Sequence, residues 1–296
     1  MKTFYYRKKY LFIILFSILI SLLTLGCNSI KNNSNKNFQP EDGKMIVHYI
    51  DVGQGDSILI QVNKKNLLID SGPKSDKNKL FDYLSESRLD KLDYVIATHP
   101  HEDHIGNMSQ VIDDYNVLNF YAPKVQSTTK TFEKMIDSLK AKNLKINVLK
   151  KGTDSIDLGE NTNVTVFSPT KDSYEDLNNY SPVIKIQYGK TSFLFTGDAQ
   201  KDVEKEIITS NEDISSDVLK VGHHGSSTST TKEFLNKVRP SIGVISVGSD
   251  NSYNHPNSDT IKRLKDNNVK IYRTDKDGTI IISSDGSNIT KESISK

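Results

Sequence analysis

Seven histidines occur in the chain, and three of them fall within six residues. The segment reads Thr98-His99-Pro100-His101-Glu102-Asp103-His104. Neutral imidazole and carboxylate are the donors expected for divalent transition metals. On an extended segment His99 and His101 point the same way, because alternate side chains share a side. Asp103 and His104 then turn back from the start of a helix. Four donors in one loop after a buried strand make a metal centre the first expectation. The single cysteine, Cys27, excludes an intrachain disulfide and a Cys-rich cluster. The remaining nitrogen and oxygen donors suit zinc, manganese or iron.

Such a loop needs a rigid frame. The apolar stretch 93–98, with Tyr-Val-Ile-Ala at its centre, predicts a buried strand immediately before the histidines. Short β-type runs over 45–52, 57–62 and 66–69 are separated by Gly53-Gln54-Gly55 and Asn63-Lys64-Lys65 turns. Helices fit 77–87, 105–114 and 129–142. Strands fit 145–149, 163–167, 183–188 and 192–196, and the last two bracket a Gly189-Lys190-Thr191 hairpin turn. Beyond Asp198, helices 201–209, 230–238 and 258–267 alternate with strands 217–221, 242–247 and 270–273, before a final strand over 279–283. Each half is therefore β-rich first and β–α alternating second. That pattern predicts two sheets covered by helices, an αββα four-layer sandwich in the α/β class, over residues 44–296.

The histidine segment resembles the signature of the metallo-β-lactamase fold superfamily. Leu67-Leu68-Ile69-Asp70-Ser71-Gly72, Phe193-Leu194-Phe195-Thr196-Gly197-Asp198 and Leu219-Lys220-Val221-Gly222-His223-His224-Gly225-Ser226 resemble its other motifs, in the same order. The run from His48 to Ser57, together with Tyr253-Asn254-His255-Pro256, is similar to the hydrolase domain of ComEC-type competence proteins. The resemblance implies one or two divalent ions, zinc or manganese. His99 and His101 would hold one; Asp103, His104 and a histidine of the 223–224 pair would hold the other; Asp198 would bridge them. His223, directly after the strand, is the expected ligand and His224 the alternative, with a supporting role. Asp70 would orient the loop. Many superfamily members place a further histidine before the bridging aspartate, but none occurs here between His104 and His223. Asn178-Asn179-Tyr180-Ser181 stands there instead, so Asn179 or water would complete the first metal's shell, or a single ion would bind.

Other residues carry expectations with two sides. Asp51 and Asp56 flank the glycine turn, which either lets backbone N–H groups approach a substrate anion or is simply a tight hairpin. His255 would protonate a leaving group or hold a phosphate, or else only lead into a helix. Ser226 would meet phosphate oxygens or cap a turn. Asp103 and His255 are the expected catalytic residues.

Residues 1–26 read as an export signal: Arg7-Lys8-Lys9, a largely apolar stretch to Leu25, then Thr24-Leu25-Gly26-Cys27, which resembles a bacterial lipobox. Cys27 is the expected lipidation site, and polar residues 27–43 the expected linker from a membrane anchor. The formal charge of +2 includes four basic residues of that leader; without them 35 basic face 37 acidic residues. A globally basic nucleic-acid coat is not indicated, while a local basic groove stays open because net charge says nothing about distribution. The expected function is extracytoplasmic phosphodiester hydrolysis, with DNA as leading substrate and no obligate protein partner. The alternatives are β-lactam or ester hydrolysis, or a metal-binding surface lipoprotein without catalysis.

Overall fold

The computed structural model describes residues 42–293. The expected leader, Cys27 and nearly all of the expected linker lie outside the described residues. Among the described residues, no helix is long and apolar enough to cross a membrane.

The chain opens with the meander β1 (Met45–Tyr49), β2 (Ile58–Val62) and β3 (Lys65–Ile69), all antiparallel. Then β4 (Tyr94–Ile96), β5 (Phe120–Ala122) and β6 (Ile146–Val148) add in parallel. Their crossovers carry α1 (Lys77–Glu86), α2 (Glu102–Ile105), α3 (Met108–Asp114) and α4 (Lys130–Ala141). The second half repeats this plan. β7 (Thr162–Val166), β8 (Ile184–Tyr188) and β9 (Thr191–Phe195) are antiparallel, and β10 (Val218–Lys220), β11 (Ile242–Ile245) and β12 (Lys270–Arg273) are parallel. Here α5 (Lys201–Thr209), α6 (Lys232–Val238) and α7 (Ser258–Asp266) are the crossovers. After the short α8 (Thr274–Asp277), β13 (Ile280–Ser284) returns to β1, and β14 (Ile289–Lys291) pairs with β13. The result is an eight-stranded sheet, β14-β13-β1-β2-β3-β4-β5-β6, and a six-stranded sheet, β12-β11-β10-β9-β8-β7.

Side-chain alternation explains the layers. Ile58, Ile60, Leu67, Ile69 and Ile96 of the first sheet meet Ile184, Ile186, Phe193, Phe195 and Val244 of the second in one buried cluster. Leu59, Leu68, Val95 and Phe120 face the other way, onto Leu80, Leu84, Met108, Ile112 and Leu139 of the helices. Leu194, Leu219 and Ile245 likewise pack on Val203, Ile207, Phe234 and Leu264. This is the expected αββα sandwich.

The single helix expected over 105–114 is two. α2 begins at Glu102, and the chain breaks at Gly106-Asn107. Asn107 Nδ2 is pinned to the carbonyls of Ser71 and Pro73 at 3.0 and 2.8 Å. A Cβ on Gly106 would stand 2.6 Å from the carbonyl oxygen of Gly72. Asp103 and His104 are thereby carried on a four-residue helix clamped to the β3 loop.

One polar residue in the first sheet makes a stability prediction. His48 is fully buried; its Nε2–H donates to Gln61 Oε1 at 3.1 Å, and Nδ1 accepts from the Tyr83 hydroxyl at 2.7 Å. Burial, opposed by the Gln61 hydrogen bond, holds its pKa down to about 4, against 6.5 for a free imidazole. Below pH 6.5 the unfolded chain gains a proton that the folded chain refuses. Stability therefore falls as pH drops from 6.5 to 4, by up to roughly 3 kcal/mol, and this contribution levels off below 4. Urea unfolding across that range is expected to give a shallower slope for His48→Gln; equal slopes would refute the assignment.

Candidate metal centre

The functional side chains gather where the parallel strands of both sheets end, the usual ligand position in open α/β sheets. Asp70 follows β3, His99 to His104 follow β4, Asp198 follows β9, and the histidine pair follows β10. Asp70 takes a left-handed backbone, φ 61°, so that its buried carboxylate turns under the next loop. Its Oδ1 accepts from the Thr98 N–H at 2.8 Å, and its Oδ2 from the Thr98 hydroxyl at 2.7 Å and His104 Nδ1–H at 2.8 Å. Asp70 thus holds the Nδ1 side of His104, with Nε2 on the side of the other donors.

His224 is set in the same way. Its Nδ1–H donates to the Ser246 carbonyl at 2.9 Å, and its buried Nε2 faces the centre. Asp103 Oδ2 lies 3.3 Å from His224 Nε2 and 3.8 Å from His104 Nε2. Asp198 Oδ2 lies 3.3 Å from His104 Nε2 and 3.5 Å from His224 Nε2. Four donors at about 2.0–2.2 Å around a tetrahedral zinc stand about 3.3–3.6 Å apart. Three of the four spacings fall in that range, and the donor atoms of Asp103, His104, Asp198 and His224 all lie within 4.8 Å of one another, so the four could hold one divalent cation. His104 Nε2, His224 Nε2 and Asp198 Oδ1 are buried without a hydrogen-bond partner, as atoms awaiting a ligand would be.

The structure puts His224 into this quartet, where His223 was the expected ligand. Both residues are left-handed, at φ 52° and 50°. The His223 N–H donates to the Gly197 carbonyl at 3.1 Å, and its ring sits beside the quartet, Nε2 3.6 Å from Asp198 and Nδ1 3.2 Å from the Thr228 hydroxyl. His99 and His101 adjoin the quartet: His99 Nε2 is 2.9 Å from His101 Nδ1 and 3.9 Å from Asp198 Oδ2. Asn179 Oδ1 accepts from the Gln200 N–H at 3.1 Å. Its neighbour Asn178 lines the cleft, and Ser181 takes the place beside His99, Oγ 3.3 Å from Nδ1, while accepting from the Asp198 N–H at 3.1 Å.

Electrostatics follow from this crowding. Burial opposes ionisation of Asp198, but His104 and His224 hold its pKa well below the usual range. Burial likewise opposes ionisation of Asp103, which His104 and the neighbouring His224 ring pull down. In return, Asp198 and Asp103 overcome burial to raise His104 well above 6.5 and His224 to about 10. Burial and the neighbouring His104 push His99 down. A field that draws protons onto two imidazoles draws a divalent cation to the same place, with release of those protons.

Among the remaining expected residues, His255 lines the cleft, its ring 5.5 Å from that of His223. Burial, then His223 and His224, lower it to about 4. Asp51 is not brought to the cleft; it closes its own turn by accepting from the Gly53 N–H at 3.1 Å. Ser226 supports a turn, with its Oγ accepting from the Thr228 N–H at 3.2 Å. Asp56 lies behind the metal donors rather than in the cleft. Its Oδ2 pairs with Lys220 at 2.8 Å, both side chains fully buried, and its Oδ1 is 3.5 Å from His224 Nδ1. Gly55 is what allows this packing, since a Cβ there would meet the Asp103 carbonyl oxygen at 2.3 Å. Sequence reasoning missed Lys220 and Tyr253. The signal for Lys220 was a lysine flanked by aliphatics in a strand, which must find a partner if buried. Tyr253 is two-thirds exposed at the cleft mouth, and nothing in the sequence distinguishes it from a loop tyrosine.

The family profile described as Metallo-beta-lactamase superfamily matches residues 50–249. ComE operon protein 3 of Bacillus subtilis is 31% identical over 252 residues, covering 79% of this chain and 32% of that protein. Recombination protein 2 of Haemophilus influenzae is 30% identical over 223 residues, covering 74% and 26%. The chain thus spans a third or less of the length of these curated relatives. Among solved structures, the metallo-beta-lactamase fold protein YhfI from Bacillus subtilis matches with a TM-score of 0.55 at 15% identity, covering 82% of this chain and 100% of that one. The profile reaches across both sheets and takes in every donor of the quartet, so the chain belongs to the metallo-β-lactamase superfamily of metal-dependent hydrolases, in a form similar to part of those longer relatives.

Proposed function

We propose that this chain is an exported, membrane-tethered phosphodiesterase that acts on DNA or another extracellular phosphodiester. The observation that carries the reading is the quartet of Asp103, His104, Asp198 and His224, open to a cleft of about 580 Å³. The quartet would hold one cation, zinc or manganese; His99 and His101, with Asp198 shared, would hold a second. When bound, such ions lower the pKa of water and neutralise charge on the attacked phosphoryl group. Asp70 and the Ser246 carbonyl hold His104 and His224 by their Nδ1–H groups and so aim both Nε2 atoms inward, where a bound cation would take the place of a proton. Asp103, at the cleft floor, is placed to take a proton from the attacking water, and His255 to hydrogen-bond a phosphoryl or leaving-group oxygen. A donor set of carboxylate and imidazole without thiolate supports phosphoester chemistry, and Recombination protein 2 and a further relative, Competence protein ComA of Neisseria gonorrhoeae, support DNA by their names. The export reading rests on the leader and Cys27.

The test is the full chain loaded with Zn²⁺ or Mn²⁺ and assayed on a chromogenic phosphodiester, linear DNA and a chromogenic β-lactam. Phosphodiester turnover that vanishes with chelator is expected. Turnover of the β-lactam alone would favour the ester-type alternative, and metal uptake without any turnover the non-catalytic one. Fatty-acid labelling lost in Cys27→Ala checks the anchor.

A further inference from the structure

Three rings lead out of the metal centre. The His255 ring lies nearly parallel to that of His224, at 6.4 Å and 26°, and the Tyr253 ring nearly parallel to that of His255, at 5.7 Å and 25°. Tyr253 is nonetheless 66% exposed and lines the cleft. With one face on His255, its other face is open. The loop that carries both rings is braced: Asn251 Nδ2 donates to the carbonyls of Gly248 and His255 at 2.8 and 2.7 Å, and Asn251 Oδ1 accepts from the His255 N–H at 2.9 Å. A large aromatic left open on a braced loop beside buried donors is a surface for a flat ligand.

The charge of the cleft narrows the choice. No lysine or arginine side chain lines it among the described residues. Its mouth instead carries Glu102 and Asp76, the latter paired with Lys79 at 3.1 Å. A long polyanion held along its backbone needs rows of cationic side chains. Stacking on an aromatic face supplies affinity without them and tolerates every base.

We propose that Tyr253, backed by His255, is a stacking subsite for an unpaired nucleobase, so that the phosphodiester presented to the centre belongs to single-stranded nucleic acid or a strand end. This rests on the phosphodiesterase reading. A base inside a duplex has no free face to offer until it is unstacked, so duplex interiors are poor substrates.

The chain contains no tryptophan, so Tyr253→Trp places a single reporter at the subsite. In the full chain without added metal, a single-stranded oligonucleotide is expected to quench that emission saturably, and an aliphatic glycerophosphodiester is not. Unchanged emission at oligonucleotide saturation, measured by filter binding, overturns the proposal. In the metal-loaded chain, Tyr253→Ala is expected to lower kcat/KM for a single-stranded oligonucleotide relative to the aliphatic diester by roughly 5- to 150-fold, through KM, with Tyr253→Phe restoring it. An unchanged ratio also overturns it. Quenching without hydrolysis of any diester would refute the phosphodiesterase reading and leave the subsite; hydrolysis of both substrates with no quenching would do the reverse.

Discussion

His224→Ala is expected to lose tight metal binding and to lower phosphodiester kcat/KM by about 10³-fold or more. His223→Ala, one residue away, is expected to keep its metal and stay within about tenfold of the parent. The difference follows from what each ring touches. His224 Nε2 is a buried donor 3.3 and 3.5 Å from two carboxylates, held by a hydrogen bond at its other nitrogen. Its loss removes one ligand of four and leaves Asp103 and Asp198 with His104 as the one remaining imidazole of the quartet. Metal assistance is worth several kcal/mol at the transition state, and each 1.36 kcal/mol is a factor of ten. His223 is partly exposed and meets the Thr228 hydroxyl. Metal content after dialysis, read alongside turnover, separates the two. Retention of metal by His224→Ala together with its loss from His223→Ala would reverse the assignment.

Lys220→Met is expected to destabilise the fold by about 3–5 kcal/mol, because it leaves the buried Asp56 carboxylate without its cation. Adding Asp56→Asn should recover much of that loss, since two neutral groups of similar size replace a charged pair. Urea unfolding of the two single variants and the double variant measures the coupling. A loss under 1 kcal/mol in Lys220→Met would show that the pair does not hold the site. Even where the double variant folds well, its metal affinity should fall about 10- to 100-fold, because Asp56 stands behind the His224 ring that it helps to orient.

Both predictions concern features that the sequence displayed without revealing their arrangement. The order of strands and helices was legible because apolar periodicity survives in every long element, and the repeat of the two halves is an alternation of periods. The three-residue strands β5 and β14 were missed. The His-x-His-x-Asp-His loop was legible because spacing alone puts its donors together. Which of two adjacent histidines turns inward was not. That depends on two successive left-handed residues, fixed by carbonyls of Gly197 and Ser246 that are remote in sequence. Asp51 and Asp56 looked equivalent around one glycine turn. The fold separates them, because only Asp56 finds the buried Lys220.

The quartet draws Asp103 and His104 from the end of the first sheet, and Asp198 and His224 from the end of the second. Neither sheet alone carries more than two of its donors. The quartet is therefore complete only after the two halves have docked. An ion bound there ties the halves together from one end, so the difference in opening rate between loaded and stripped protein should be greatest where the sheets meet at that end, and least at the opposite edge.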